Sequence, residues 1–175
     1  PELRDEIRHS FWLLNRVASA KALERLLKKH PVFSEYTVVL AAGDGRPNVN
    51  ENDGLDEDAE DAVTVGRSLD KVRAAIAKAE AEGGKTITLS VGQLTTGVTV
   101  PEWTAVIMLS NLSSPALYMQ AAFRSQNPCT FMRGDKVFQK KNAYIFDFAP
   151  ERTLTIFDAF ANDLADHPPI DAGER

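Results

Sequence analysis

The chain has 175 residues, 43% hydrophobic and 26% charged, which is the composition of one globular domain with a sizeable core and leaves little room for two. No apolar run approaches the ~20 residues that cross a bilayer and no basic region leads into an apolar stretch at the amino terminus, so no membrane partner and a cytoplasmic location are expected; the single cysteine, Cys129, excludes an intrachain disulfide or a thiolate cluster, and His9, His30 and His167 lie far apart, so no metal site is expected. The net charge is −5, but the seven carboxylates Glu51, Asp53, Asp56, Glu57, Asp58, Glu60 and Asp61 stand in one stretch and without them the balance is +2, so the overall sign does not argue against a nucleic-acid partner.

In chain order, His9 to Leu14 is a short apolar run that suits a buried strand, and Val17 to Lys29 follows with Val17, Ala20, Leu23, Leu26 and Leu27 at helical spacing until His30-Pro31 stops it. Tyr36 to Ala42 is β-branched, apolar and too short for a helix, which predicts a central strand of a covered parallel sheet, closed by Gly43-Asp44-Gly45. The polar, acidic stretch from Arg46 to about Val65 lacks periodicity and predicts a long surface loop; it lacks the spacing of a calcium loop. Ser68 is placed to cap a helix running to about Glu82, with Leu69, Val72, Ile76 and Ala79 on one face and Gly83-Gly84 at its end.

A strand over Thr86 to Ser90 and another over Thr104 to Leu109 come next, and Ser113-Ser114-Pro115 supplies a capping hydroxyl and a first-turn proline for a helix to about Ser125, ended by Asn127-Pro128. Asn142 to Phe148 predicts a last strand, and Pro150 opens a helix with Leu154, Phe157, Phe160 and Leu164 as its apolar positions. Strands alternating with amphipathic helices predict a three-layer α/β domain with a mainly parallel central sheet flanked by helices, whose sites lie at the carboxyl ends of the strands. Pro1 in place of an initiator methionine and the polar tail from His167 to Arg175 suggest one domain, core about 9–165, excised from a longer polypeptide.

Gly84-Lys85-Thr86 imitates the end of a phosphate loop, but its first glycine would fall at Ala79 and a helix precedes it while a strand follows, the reverse of the order that aims helix-start amides at phosphates. No G-x-S-x-G, H-E-x-x-H or G-x-G-x-x-G is present, so the common hydrolase, zinc-protease and dinucleotide readings lack support.

Thr88 to Glu102, TLSVGQLTTGVTVPE, resembles motif V of superfamily 2 helicases at Gly97, Val98, Thr99, Val100 and Pro101. Ala116 to Pro128, ALYMQAAFRSQNP, resembles motif VI, with Gln120 at the glutamine and Arg124 at the first arginine. Taken alone, the first segment also reads as an ordinary strand-to-strand loop, and Arg124 as a surface arginine paired with a carboxylate. The two occur in the family's order and separation, and His9 to Asn15 with its helix would correspond to motif IV. Q-A-A-F-R-S-Q-N-P followed by Y-I-F-D-F-A-P-E-R-T-L looks like the helicase portions of restriction enzymes of type III or single-chain architecture.

The resemblance implies a single RecA-like carboxyl-terminal lobe of a superfamily 2 DEAD/DEAH-type helicase or translocase in a restriction-modification system. It implies ATP and Mg²⁺ in the full-length protein, held mainly by a first lobe; duplex DNA, that first RecA-like lobe and methyltransferase or nuclease domains would be the partners. Gln120, Arg124 and Asn127, spaced as one polar stripe on a helix, would face ATP, with Arg124 as an arginine finger and Gln120 beside it; Gly97, Thr99 and Asn127 would contact the nucleotide; Ser90, Thr95 and Thr96 would offer hydroxyls to DNA phosphates. Thr99 stands where the family has aspartate, Asn127 where it has a second arginine and Phe123 where it has glycine, so a RecA-like scaffold without ATP chemistry is the alternative, and a free-standing flavodoxin-like enzyme for a small phosphorylated substrate a third. Trp12 and Trp103 read as core or edge packing, and Asp147 as a helix-start partner or a site residue.

Overall fold

The computed structural model of the chain describes residues 6–41, 57–92, 94, 98–112, 114–133 and 135–164. The elements are β1 (His9–Leu14), α1 (Val17–Lys29), β2 (Tyr36–Ala41), α2 (Glu57–Glu82), β3 (Lys85–Val91), β4 (Ala105–Met108), α3 (Pro115–Ala122), β5 (Thr130–Arg133), β6 (Lys136–Gln139), β7 (Tyr144–Asp147) and α4 (Pro150–Leu164), with 3₁₀ turns at Phe33–Glu35 and Phe123–Ser125. Five strands make one parallel sheet in the order β2-β3-β1-β4-β7, and β5 and β6 form a separate antiparallel hairpin.

β1 lies in the middle, paired along its whole length with β3 (His9↔Thr86 to Leu14↔Val91) and with β4 from Ser10↔Ala105 to Leu13↔Met108. A central parallel strand must be covered on both faces, and the period-2 alternation of side chains does this here. Phe11 and Leu13 enter a core shared with Val72, Ile76, Val106, Tyr118 and Ile156, whereas Leu14 joins Ala20, Leu27, Ile87 and Leu89 on the opposite face. α1 therefore covers one face and α2, α3 and α4 the other, the three-layer α/β arrangement, mainly parallel, expected for a RecA-like lobe. Each large side chain buried this way contributes roughly 1.5–3 kcal/mol.

Four expectations are corrected. Among the described residues Tyr36–Ala41 is an edge strand, paired with β3 alone and half-buried along most of its length; apolar β-branched composition does not by itself distinguish an edge from a centre. α2 begins at Glu57, so the backbone over 57–65 is helical and Ser68 is a buried interior residue, not a cap. Alanine and glutamate are good helix formers, and carboxylates suit a helix amino terminus, so an acidic stretch without apolar periodicity still makes the first turns of a helix. Residues 46–56, Gly43-Asp44-Gly45 and the tail 167–175 lie outside the described residues. The hairpin β5–β6 is absent from the expected element order, although Thr130-Phe131-Met132 and Val137-Phe138 flank a Gly134-Asp135 turn signal. On α4, among the residues whose burial is described, Ile156 is the buried one and Leu154 is 73% exposed, while Phe157 meets the Tyr118 ring edge-on and Phe160 packs against the core as expected.

The end of α2 is as expected. Gly83 has φ +71°, the left-handed conformation that glycine adopts without a Cβ penalty, and the Gly84 amide donates to the Ala79 carbonyl at 2.6 Å. That turn delivers the chain into β3, where Thr86, Ile87, Thr88, Leu89 and Ser90 are all buried.

Candidate functional site

β3 ends at Val91, Gly92 takes φ +70°, and the buried Leu94 takes φ 61°. In the returning segment from Val98, burial alternates: Val98 and Val100 enter the core and Thr99 is exposed. Trp103 closes the segment: it is fully buried, its indole Nε1 donates to Thr88 Oγ1 at 3.3 Å, and its ring packs on Phe11 with centroids 4.7 Å apart. Its amide donates to the Val100 carbonyl at 3.2 Å, making a turn over Pro101 and Glu102. Thr95, Thr96 and Gly97, three of the residues singled out from the sequence, lie outside the described residues.

α3 starts as the sequence predicts. Ser114 Oγ accepts from the Leu117 amide at 3.4 Å and Pro115 occupies the first turn. Tyr118, Met119, Ala121 and Ala122 are buried, which turns Gln120 to the exposed side. The α-helix ends at Ala122 and tightens into the turn Phe123–Ser125, which carries Arg124. Ser125 is buried and its hydroxyl donates to the Ala122 carbonyl at 3.2 Å. The polar stripe expected from helical spacing is thus broken: Gln120 is on α3, Arg124 on the 3₁₀ turn and Asn127 beyond both. The residue before a proline disfavours helical backbone, and Asn127 precedes Pro128.

Arg124 Nη1 donates to the Val98 carbonyl, which joins the two segments that carried the sequence resemblance. Burial lowers the Arg124 pKa from its usual value, although a guanidinium remains a cation at neutral pH. Asn127 Nδ2 donates to the Arg124 carbonyl at 3.4 Å, so its amide supports the turn. Arg73 of α2 reaches the Thr99 carbonyl at 3.4 Å.

Lys140, just past β6, was not among the residues singled out from the sequence. Its Nζ donates to the carbonyls of Pro101 at 2.9 Å, Trp103 at 2.7 Å and Asn127 at 2.8 Å. Burial pulls its pKa down, against the Cys129 and Glu102 side chains, which raise it. Its only sequence signal was a lysine beside an unrecognised hairpin.

Ser90 is fully buried on β3 in this lobe, whereas its place at a strand end had suggested exposure. Asp147 takes the helix-start role: its Oδ1 accepts from the Ala149 amide at 2.9 Å and from Arg152 Nη2 at 2.7 Å. Burial alone would raise its pKa, but these donors outweigh it and hold the carboxyl below its usual value. Arg152 also donates to Asn111 Oδ1 at 2.6 Å. Among the described residues no group of three or more His, Cys, Asp or Glu converges as metal ligands do, and no helix is long and apolar enough to cross a membrane.

The chain thus has the three-layer α/β fold, with the returning segment and the Arg124 turn in contact on one face of the sheet. No family model matches it. It is similar to the C-terminus of a putative type II restriction enzyme and methyltransferase of Mycoplasma pneumoniae, 26% identical over 168 residues, and this match covers 96% of the chain and 21% of that protein. The chain therefore spans about a fifth of the curated relative it matches. Among solved structures it is similar to the C-terminal domain of the DEAD-box protein Dbp5 (TM-score 0.47, 19% identity, 93% of this chain and 73% of that one) and to the C-terminal part of the Fun30 ATPase domain (TM-score 0.44, 14% identity, 82% of this chain and 35% of that one). The restriction-enzyme relative agrees with the narrower resemblance drawn from the wording around Arg124 and Asp147.

Proposed function

We propose that this chain is the second motor lobe of an ATP-dependent DNA translocase in a restriction-modification enzyme. The observation that carries the reading is the hydrogen bond from Arg124 to Val98, because it puts the candidate arginine finger against the candidate nucleotide and DNA loop. The similarity to a restriction enzyme and methyltransferase supports the setting.

The residues present fit a nucleotide delivered by a facing lobe. Gln120 and Thr99 are exposed and Arg124 is part-buried on the Val98 carbonyl, so a carboxamide and a hydroxyl would meet phosphates and ribose directly and the guanidinium by exchanging its partner. No three possible metal ligands converge among the described residues, and the ligands of Mg²⁺ are assigned to the first lobe. ATP bound there would supply the phosphoryl group whose transfer drives movement. Arg124 would exchange the Val98 carbonyl for phosphate oxygens and neutralise charge that develops during transfer. Gln120 would orient the terminal phosphate, Asn127 would hold the Arg124 backbone, and Gly97 would allow close backbone approach. Duplex DNA would be held by its phosphates, with Thr95 and Thr96 as contacts.

The test is ATP hydrolysis by the full-length polypeptide with and without duplex DNA. DNA should stimulate the wild type, and Arg124→Ala should lower turnover by about three orders of magnitude while ATP binding persists. Turnover equal to wild type in the variant contradicts the finger assignment. The scaffold reading is favoured by one observation, that Arg124 is engaged by a carbonyl of its own lobe; absence of DNA-stimulated turnover in the wild type would establish it in place of the motor.

A further inference from the structure

Four carbonyls of the returning segment are held by three cations distant in sequence: Val98 by Arg124, Thr99 by Arg73, and Pro101 and Trp103 by Lys140. Like Arg124, which ties its own turn to Val98, Lys140 joins the two sides, through the Asn127 carbonyl two residues past the Arg124 turn. An ammonium has three N–H bonds, and the three carbonyls use them all. The same lysine is anchored from behind, because its own amide donates to the Cys129 carbonyl at 2.9 Å at the open end of the hairpin.

We propose that Lys140 is a positioning residue that sets the distance between the 98–103 segment and the Arg124 turn, and so couples engagement of the loop to the placement of the arginine. The inference rests on the motor reading for its consequence and on geometry alone for its structural part. Charge-assisted bonds to three carbonyls are directional and short. Removing the donors leaves part-buried carbonyls without their cation and leaves the Arg124–Val98 bond as the remaining polar tie described between the two segments, so their separation is less tightly set. A misplacement of about 1 Å in a phosphoryl-transfer site costs about a hundredfold in rate, so the residue need not touch a nucleotide to matter. It would lower turnover without weakening nucleotide binding.

The experiment uses the full-length polypeptide as wild type, Lys140→Met, Lys140→Arg and Arg124→Ala. Lys140→Met keeps the stem and removes the donors; Lys140→Arg returns cationic donors. Two readouts are taken: kcat and KM for ATP with duplex DNA, and amide hydrogen exchange over residues 98–104 and 123–129 with β1 as internal standard. Lys140→Met should lower kcat by at least about tenfold with KM within about twofold. It should also speed exchange in both segments by about tenfold while β1 is unchanged, and Lys140→Arg should recover most of both losses.

Wild-type kcat in Lys140→Met beside an inactive Arg124→Ala overturns the proposal and leaves the motor reading standing. Faster exchange everywhere, β1 included, with no recovery in Lys140→Arg overturns it as mere destabilisation. If the wild type shows no DNA-stimulated turnover, the motor reading fails, and if Arg124→Ala retains wild-type turnover, the finger assignment fails; in either case exchange decides alone: unchanged protection in Lys140→Met overturns the positioning role, and loss confined to the two segments upholds it.

Discussion

Replacing Trp103 with alanine tests how the returning segment is anchored. The side chain is fully exposed nowhere along its length, being 0% accessible, and it sits between Phe11 of β1 and the end of the segment. Removing a buried tryptophan costs about 3–5 kcal/mol through lost transfer energy and an unfilled cavity. The ring pair with Phe11 accounts for roughly 0.5–1.5 kcal/mol of this kind of loss, and the 3.3 Å bond to Thr88 for about 0.5–1.5 kcal/mol more, toward the lower end at that length. A domain is stable by only about 5–15 kcal/mol, so Trp103→Ala should remove a large part of the total. Trp103→Phe keeps a ring against Phe11 and loses the indole donor and some volume, which should cost about 1–2 kcal/mol. In urea, at about 2 kcal/mol per molar, the alanine variant should lower the midpoint by about 2 M and the phenylalanine variant by under about 1 M. Equal losses in the two variants, or an alanine loss under about 1.5 kcal/mol, would refute the anchoring.

His9 provides a pH-dependent case. It is buried between Thr86 Oγ1 at 2.9 Å and Glu80 Oε1 at 2.8 Å, and burial lowers its pKa from 6.5 despite the Glu80 side chain. The unfolded chain then takes up a proton more readily than the folded one, so this contribution is fully present above the unfolded pKa of 6.5 and is lost as pH falls through the lowered folded value; His9→Gln should flatten the fall in urea midpoint between about pH 7 and 5, and an unchanged slope would contradict it. On α4, Ile156→Ala should cost about 2–5 kcal/mol and Leu154→Ala under about 0.5 kcal/mol, since Ile156 is 2% exposed and Leu154 73%; comparable losses would show that the helix packs by the face its spacing suggests.

Much of the fold was legible because strands buried on both faces leave a strong record. His9–Leu14 and Val17–Lys29 match their expected limits, as local apolar periodicity and the His30-Pro31 stop define them. Ser114-Pro115 and Gly83 mark helix ends through backbone chemistry that is local to a few residues. What was not legible depends on tertiary partners. Nothing in Tyr36–Ala41 says that among the described strands β3 will be its partner, and nothing in α4 says that Ile156 will be more deeply buried than Phe157, although both pack near Tyr118. Spacing proposed Gln120, Arg124 and Asn127 as one stripe, but the chain leaves the α-helix after Ala122. The lysine that ties the site together could not be found by motif, because its partners are backbone carbonyls 13, 37 and 39 residues away, and carbonyls carry no side-chain signature.

The central claim is that Arg124, brought against Val98 by the packing of α3 on the returning segment, serves ATP turnover in a DNA-driven motor. The most direct measurement is steady-state ATP hydrolysis by the full-length polypeptide, wild type and Arg124→Ala, with and without duplex DNA, alongside nucleotide binding by each. DNA should stimulate turnover in the wild type, the variant should lose it by about three orders of magnitude, and both should retain nucleotide binding. Equal turnover in the two proteins, or no stimulation of the wild type by DNA, would contradict it.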